Sequence, residues 1–128
     1  MKYLFDTHIA IWTLLDDPRL SRAAREILND NENKFFFSVC SIWEIAIKRG
    51  LRAAAFQHDP REIRHYLLRN GCEELTLQGR HAVEVDRLPH IHKDPFDRIL
   101  IAQAMVEGIF LLTADATIAQ YPAPILKV

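Results

Sequence analysis

The residues best suited to chemistry in this sequence of 128 residues are carboxylates placed where strands end and helices begin. Asp6 follows the short β-prone run Lys2 to Phe5 and precedes an apolar helical pattern, so it belongs to a strand-to-helix turn. Glu44 falls in the first turn of a helix predicted over Cys40 to Gly50. Asp94 and Asp97 share another helix mouth: Asp94 suits the cap, Pro95 the first helical position, and Asp97 the positive end of the helix dipole. Asp115 comes directly after the apolar run Ile109 to Thr113. In an open parallel α/β sheet the ligand crevice lies beyond the carboxyl ends of the strands, which would bring these five together. Glu26, Glu62, Glu84 and Glu107 fall inside helices or at their far ends, where solvent is the default.

Carboxylates gathered in one crevice repel and raise one another's pKa unless a cation compensates them. Helix N-termini supply only about 0.3–1 kcal/mol each, so a divalent metal is the stronger explanation. Oxygen ligands without Cys/His spacing favour Mg²⁺ or Mn²⁺ over Zn²⁺, and such sites typically serve phosphoryl chemistry with a metal-activated water. Plainer roles compete for each residue. Asp6 could make an Asx-turn, Glu44 could close a capping box with Ser41, and Asp97 could be a favourable first-turn charge. His8, His90 and His92 lie nearest the acidic residues, but a metal-activated water needs no histidine base. Ser41 has no triad partners and reads as a cap. Arg98 could bridge to a carboxylate or meet a substrate phosphate.

The elements that must position these groups alternate. Strands are predicted at Lys2 to Phe5, Phe35 to Val39, Cys72 to Leu77, Ile109 to Thr113 and Ile125 to Val128. Helices are predicted from Ile9 to Leu15, Arg22 to Asn29 behind Ser21, Cys40 to Gly50 with Ser41 as cap, and Pro60 to Asn70 behind Asp59. Two more follow, at His81 to Leu88 and Pro95 to Glu107, the latter stopped by Gly108. Alternation of this kind implies an α/β fold, a three-layer α/β/α sandwich with a mostly parallel central sheet. Trp12 and Trp43 are expected to pack in the core.

A chain of this length is expected to form one domain over residues 1–128 and to bury roughly two-thirds of its unfolded surface. Two cysteines without Cys-x-x-Cys spacing fit a reducing, cytoplasmic compartment, and no signal sequence or membrane-spanning run is evident. Sixteen basic and seventeen acidic residues leave a net charge of −1, which argues against holding nucleic acid by an overall field but allows a local basic patch.

Four blocks also resemble, in order and spacing, those of PIN-domain ribonucleases, and most closely the VapC-type toxins of toxin–antitoxin pairs. They are Leu4 to His8, Ser41 to Lys48, Asp94 to Ala104, and Leu112 to Asp115. The resemblance implies a PIN-like fold and a Mg²⁺- or Mn²⁺-dependent endoribonuclease, commonly a homodimer, silenced by a cognate antitoxin. It assigns Asp6, Glu44, Asp97 and Asp115 to the acidic quartet, with Asp94 as a nearby cap or outer-sphere group. Thr7 and Thr113 match positions whose hydroxyls orient a carboxylate or a metal-bound water. Lys48, Arg49 and Arg52, with Arg19, Arg22 and Arg25, become candidate contacts to an RNA backbone, although a solvated helix face accounts for at least half of them.

The corresponding mechanism is hydrolysis of an RNA phosphodiester, with Asp6 and Asp97 on the metal, Glu44 orienting or deprotonating the water, and Asp115 completing the shell. A phosphatase using Asp6 as nucleophile would want a second aspartate two residues on, where His8 stands. The remaining alternative is a PIN-like module that binds RNA or protein without cutting.

Overall fold

The computed structural model describes residues 1–128. Five strands, β1 (Lys2–Phe5), β2 (Lys34–Ser38), β3 (Glu73–Leu75), β4 (Phe110–Thr113) and β5 (Ile125–Lys127), form one sheet in the order β3-β2-β1-β4-β5. Every neighbouring pair is parallel. Six helices connect them: α1 (Thr7–Leu15), α2 (Arg22–Asn29), α3 (Val39–Gly50), α4 (Pro60–Arg69), α5 (Gly79–Glu84) and α6 (Pro95–Glu107). This is the expected α/β/α sandwich.

The period-two alternation of strands divides the core between the two faces of the sheet. Tyr3, Phe5, Phe37 and Leu112 pack with Ile9 of α1, Ile45 of α3, and Ile63 and Leu67 of α4. Leu4 and Leu111 point the other way, onto Leu100, Ile101 and Ala104 of α6. Leu100 through Ala104 are all buried, so α6 is enclosed on nearly every side rather than amphipathic. Burying each such Leu or Ile contributes about 1.5–3 kcal/mol, which makes α6 a rigid mount for whatever sits at its N-terminus. Its far end stops at Gly108, whose φ of 66° is the left-handed conformation of a helix terminus.

Several elements depart from the sequence-based expectation. Helix α3 begins at Val39 and is capped by Ser38, whose hydroxyl accepts from the Cys40 N–H at 3.0 Å, not by Ser41. The chain passes from β2 into α3 without a loop, so the last strand residue becomes the cap. The stretch from His81 to Leu88 is not one helix: α5 ends at Glu84 and a 3-10 turn spans Val85–Arg87. Arg98 of α6 takes up the carbonyls exposed there, donating to Pro89 O at 2.8 Å and Val85 O at 3.3 Å. Edge strand β3 is shorter than predicted, and its glutamates are paired outward, Glu73 with Lys34 at 2.8 Å and Glu74 with Arg64 at 2.6 Å. Trp43 is not in the core but 58% exposed, because Ser41, Glu44 and Ile45 take the inward face of α3.

No helix is long and apolar enough to cross a membrane.

Candidate metal centre

Strand β1 lies between β2 and β4, so the chain leaves it to one side first and returns later on the other. The crevice beyond the carboxyl ends of β1 and β4 is therefore a topological switch point. Asp6 and Thr113 face each other across it. Asp6 is 3% exposed, its backbone N–H donates to Leu112 O at 2.9 Å, and its Oδ2 accepts from Thr113 Oγ1 at 2.7 Å. Although Asp6 precedes α1, its side chain makes no capping hydrogen bond. Its Oδ1 is buried with no partner at all. Burial pushes the Asp6 carboxyl above the usual range and Glu44 pushes in the same direction, against the Thr113 hydrogen bond and the nearby His8. A buried carboxylate oxygen without a donor is unusual and calls for a cation or water.

Thr113 serves two acids at once. Its hydroxyl proton goes to Asp6, while its oxygen accepts the backbone N–H of Asp115 at 3.0 Å. Asp115 in turn receives the Thr117 N–H on Oδ1 at 2.7 Å, which leaves Oδ2 toward the crevice, 3.7 Å from His92 Nε2. Thr113→Val keeps the shape but strips a donor from Asp6 and an acceptor from Asp115. It is expected to weaken Mn²⁺ binding about 10–100-fold and to cost about 1–3 kcal/mol of stability, read by titration and urea unfolding; unchanged Mn²⁺ affinity would remove Thr113 from the centre.

Helix α3 contributes Glu44, 2% exposed. Thr7 Oγ1 lies 2.6 Å from Glu44 Oε1 and 2.9 Å from Ser41 Oγ. Thr7 has one proton, which the carboxylate attracts, so Ser41 donates to Thr7. Ser41 is thus a buried support for Thr7. The capping box between Ser41 and Glu44 does not form, because Ser38 already occupies the cap. Glu44 Oε2 receives Lys48 Nζ at 2.6 Å, and the same ammonium reaches Asp94 Oδ2 at 3.1 Å.

At the mouth of α6, Asp94 caps the helix through Oδ1, which accepts the Phe96 N–H at 2.9 Å. Asp97 stands one turn in, its side chain 13% exposed, with Oδ2 3.1 Å from His92 Nε2. His92 Nδ1 accepts the Asp94 N–H at 3.0 Å, so the ring proton resides on Nε2 and is donated to Asp97. Burial, followed by the negative charges of Asp6, Asp94 and Glu44, pushes Asp97 up to about 8, with Lys48 pulling the other way.

Two triads bring possible ligand atoms within 4.8 Å of one another: His92, Asp97 and Asp115; and Glu44, Asp94 and Asp97. In the first, Asp97 and Asp115 supply the oxygens, because both nitrogens of His92 are taken up by hydrogen bonds. Asp97 belongs to both. Asp6 is in neither, but its charge acts on Asp97. The oxygen-rich donor set and the orphaned Asp6 Oδ1 fit a hard divalent cation such as Mg²⁺ or Mn²⁺.

The structure brings Asp6, Thr7, Glu44, Asp94, Asp97, Thr113 and Asp115 to this crevice. It does not bring Arg98, whose guanidinium is spent on Pro89 O, Val85 O and, at 3.1 Å, the Tyr121 hydroxyl. Two residues named in the sequence have roles in the crevice that it did not assign. Lys48 points inward rather than along a solvated face, and its position four residues after Glu44 was the available signal. His92, which the sequence places near the acidic residues and which a metal-activated water does not need as a base, orients Asp97 instead, a role set by the path of the loop before α6. Of the arginines, Arg19, Arg22 and Arg25 pair with Asp17, Glu26 and Asp16, and Arg49 lies 3.6 Å from Asp59.

A family profile described as PIN domain matches residues 3–124. No curated protein matches the chain in sequence. Solved structures similar in fold include three from toxin–antitoxin systems. A chain of VapBC2 from Rickettsia felis, bound to a DNA fragment from its promoter, is 16% identical with a TM-score of 0.72, covering 99% of this chain and 98% of that one. A chain of DNA-bound VapBC from Salmonella typhimurium is 18% identical with a TM-score of 0.67, over 99% and 98%. A chain of a toxin–antitoxin complex from Klebsiella pneumoniae is 21% identical with a TM-score of 0.66, over 98% and 96%.

Proposed function

This chain belongs to the PIN domain family, and from that premise we propose that residues 1–128 act as one metal-dependent endoribonuclease domain, the VapC-type toxin of a toxin–antitoxin pair. The observation that carries the proposal is the gathering of five carboxylates at the switch point, with Asp6 Oδ1 buried and unpartnered. The fold shared with chains of VapBC and other toxin–antitoxin complexes supports the toxin reading.

A bound Mg²⁺ or Mn²⁺ supplies Lewis acidity and makes water a competent nucleophile near neutral pH. The chain supplies the rest. Asp6, Asp97 and Asp115 would hold the ion, Thr113 aims Asp6 and Asp115, and His92 fixes the orientation of Asp97. Glu44 has both oxygens engaged, by Thr7 and Lys48, so it acts as an anchored anion that positions its neighbours rather than as a mobile base. Trp43 and Ile47 on α3, with Leu51 just past its end, form an exposed apolar stripe, the sort of surface that an antitoxin or a second copy in a homodimer buries. Two free cysteines, Cys40 and Cys72, suit the cytoplasm, where RNA and antitoxin are found.

The test is incubation of purified protein with RNA, with Mg²⁺ or Mn²⁺ and with EDTA. Metal-dependent internal cleavage that stops on adding the antitoxin encoded beside it is the expected result. RNA bound but never cut would make the chain a non-catalytic module, and no effect of the metal would end the proposal.

A further inference from the structure

Lys48 occupies a position at odds with its exposed appearance in the sequence. It lies one turn beyond Glu44 on α3, and its ammonium sits 2.6 Å from Glu44 Oε2 and 3.1 Å from Asp94 Oδ2. The side chain is held there from two further sides, 4.8 Å from the Phe56 ring centre and 5.7 Å from that of Phe96. Only a quarter of it is exposed. Aromatic faces favour a cation where water has been removed, and they fix the stem that carries it.

The two ligand triads share Asp97. Two-metal nucleases and phosphatases place their ions roughly 3.5–4 Å apart, commonly with a carboxylate between them. In this crevice that arrangement would require one ion at Asp97 and Asp115 and another in the triad of Glu44, Asp94 and Asp97. The second position is where the ammonium of Lys48 already holds two of the three carboxylates. A dication there would compete for the same oxygens and repel the ammonium at short range.

We propose that Lys48 is a built-in cation that fills the Glu44–Asp94 half of the centre, so that the protein takes one divalent ion beside Asp6, Asp97 and Asp115 rather than two. This rests on the metal-dependent reading above and deepens it by fixing the number of ions. Lys48 is a positioning residue in this scheme: its ammonium holds Glu44 and Asp94 in place, as a second metal would.

The experiment counts Mn²⁺ bound per chain, from the loss of the free-ion EPR signal, in the parent, Lys48→Met and Lys48→Arg. Methionine keeps the stem packed on Phe56 and Phe96 without the charge, and arginine keeps a cation. One ion per parent chain, a second ion or at least about tenfold tighter binding in Lys48→Met, and one ion in Lys48→Arg are expected. Two ions per parent chain, or one ion with unchanged affinity in Lys48→Met, would overturn the proposal. Should Lys48→Met fail to fold by circular dichroism, the parent count decides alone. Metal-dependent cleavage with two ions bound sinks only this inference, whereas no Mn²⁺ bound and no cleavage sinks the metal reading with it.

Discussion

Asp97→Asn is expected to lower metal-dependent RNA cleavage by on the order of 10²–10³-fold and to leave the fold in place. The carboxylate belongs to both ligand triads and no other residue does. The substitution keeps the volume, and the asparagine carbonyl can still accept the proton of His92 Nε2, now 3.1 Å from Asp97 Oδ2. Helix α6 does not depend on Asp97 for its position, because Leu100, Ile101, Ala102 and Ala104 are buried and Asp94 holds the cap. Asp94→Asn provides the contrast. Asparagine caps helices as well as aspartate does, so the bond from the Phe96 N–H survives, and what is lost is the 3.1 Å link to Lys48. A decrease of about tenfold is expected, in keeping with a group one layer out from the ion. Cleavage rates with saturating Mn²⁺, beside circular-dichroism melts of both variants, make the comparison. Parent-like cleavage by Asp97→Asn, or equal losses in the two variants, would contradict this division of labour.

That division could be foreseen only in part, and the reason lies in which interactions are local. The Asp94–Pro95 start and the Gly108 stop of α6 involve neighbours in sequence, and both stand where the residues predict. Ser21 and Asp59 likewise cap α2 and α4, accepting from Ala24 and Arg61. Ser38 and Ser41 show the limit of such signals: each can cap, and what decides is that β2 runs straight into α3. The sheet order is a tertiary choice, so alternation of strands and helices gives parallel β1 and β4 but not their adjacency, which brings Thr113 onto Asp6. Lys48 is intermediate. Its pairing with Glu44 is written in the four-residue spacing, but its meeting with Asp94, 46 positions away, depends on how α3 and α6 come together. Trp43 misleads for the opposite reason, since aromatic character says nothing about which face of a helix will look inward. Arg98 directly follows Asp97 in sequence yet points to the carbonyls of the 85–89 segment, because adjacent helical residues diverge by roughly 100°.

Without metal, the protein is expected to lose stability as pH rises from about 4 to about 8, and to recover it when Mn²⁺ is added. The sign follows from Asp97, whose carboxyl is shifted from 3.8 to about 8, chiefly by burial and then by Asp6, Asp94 and Glu44. An acid that binds its proton more tightly in the folded state contributes stability that is fully present below its unfolded pKa and is lost as pH climbs through the folded one. For one group the slope reaches at most about 1.4 kcal/mol per pH unit. Asp6, also raised by burial, acts in the same direction. Asp17 runs the opposite way, held at about 2 by its hydrogen bonds to Arg19. Its contribution changes only as pH falls below about 4, so it does not obscure the window above. Mn²⁺ binds the ionised carboxylates and competes with their protons. Its affinity should therefore increase toward pH of about 8, and binding below that value should release protons. Urea midpoints across this range, with and without Mn²⁺, measure the first effect; calorimetry in buffers of different ionisation enthalpy measures the second. A flat metal-free profile and no proton release would mean that Asp97 is already ionised before metal arrives. The positive groups within the crevice, Lys48 above all, would then suffice to hold the acids together, and a divalent ion would add catalysis without adding stability through protons displaced.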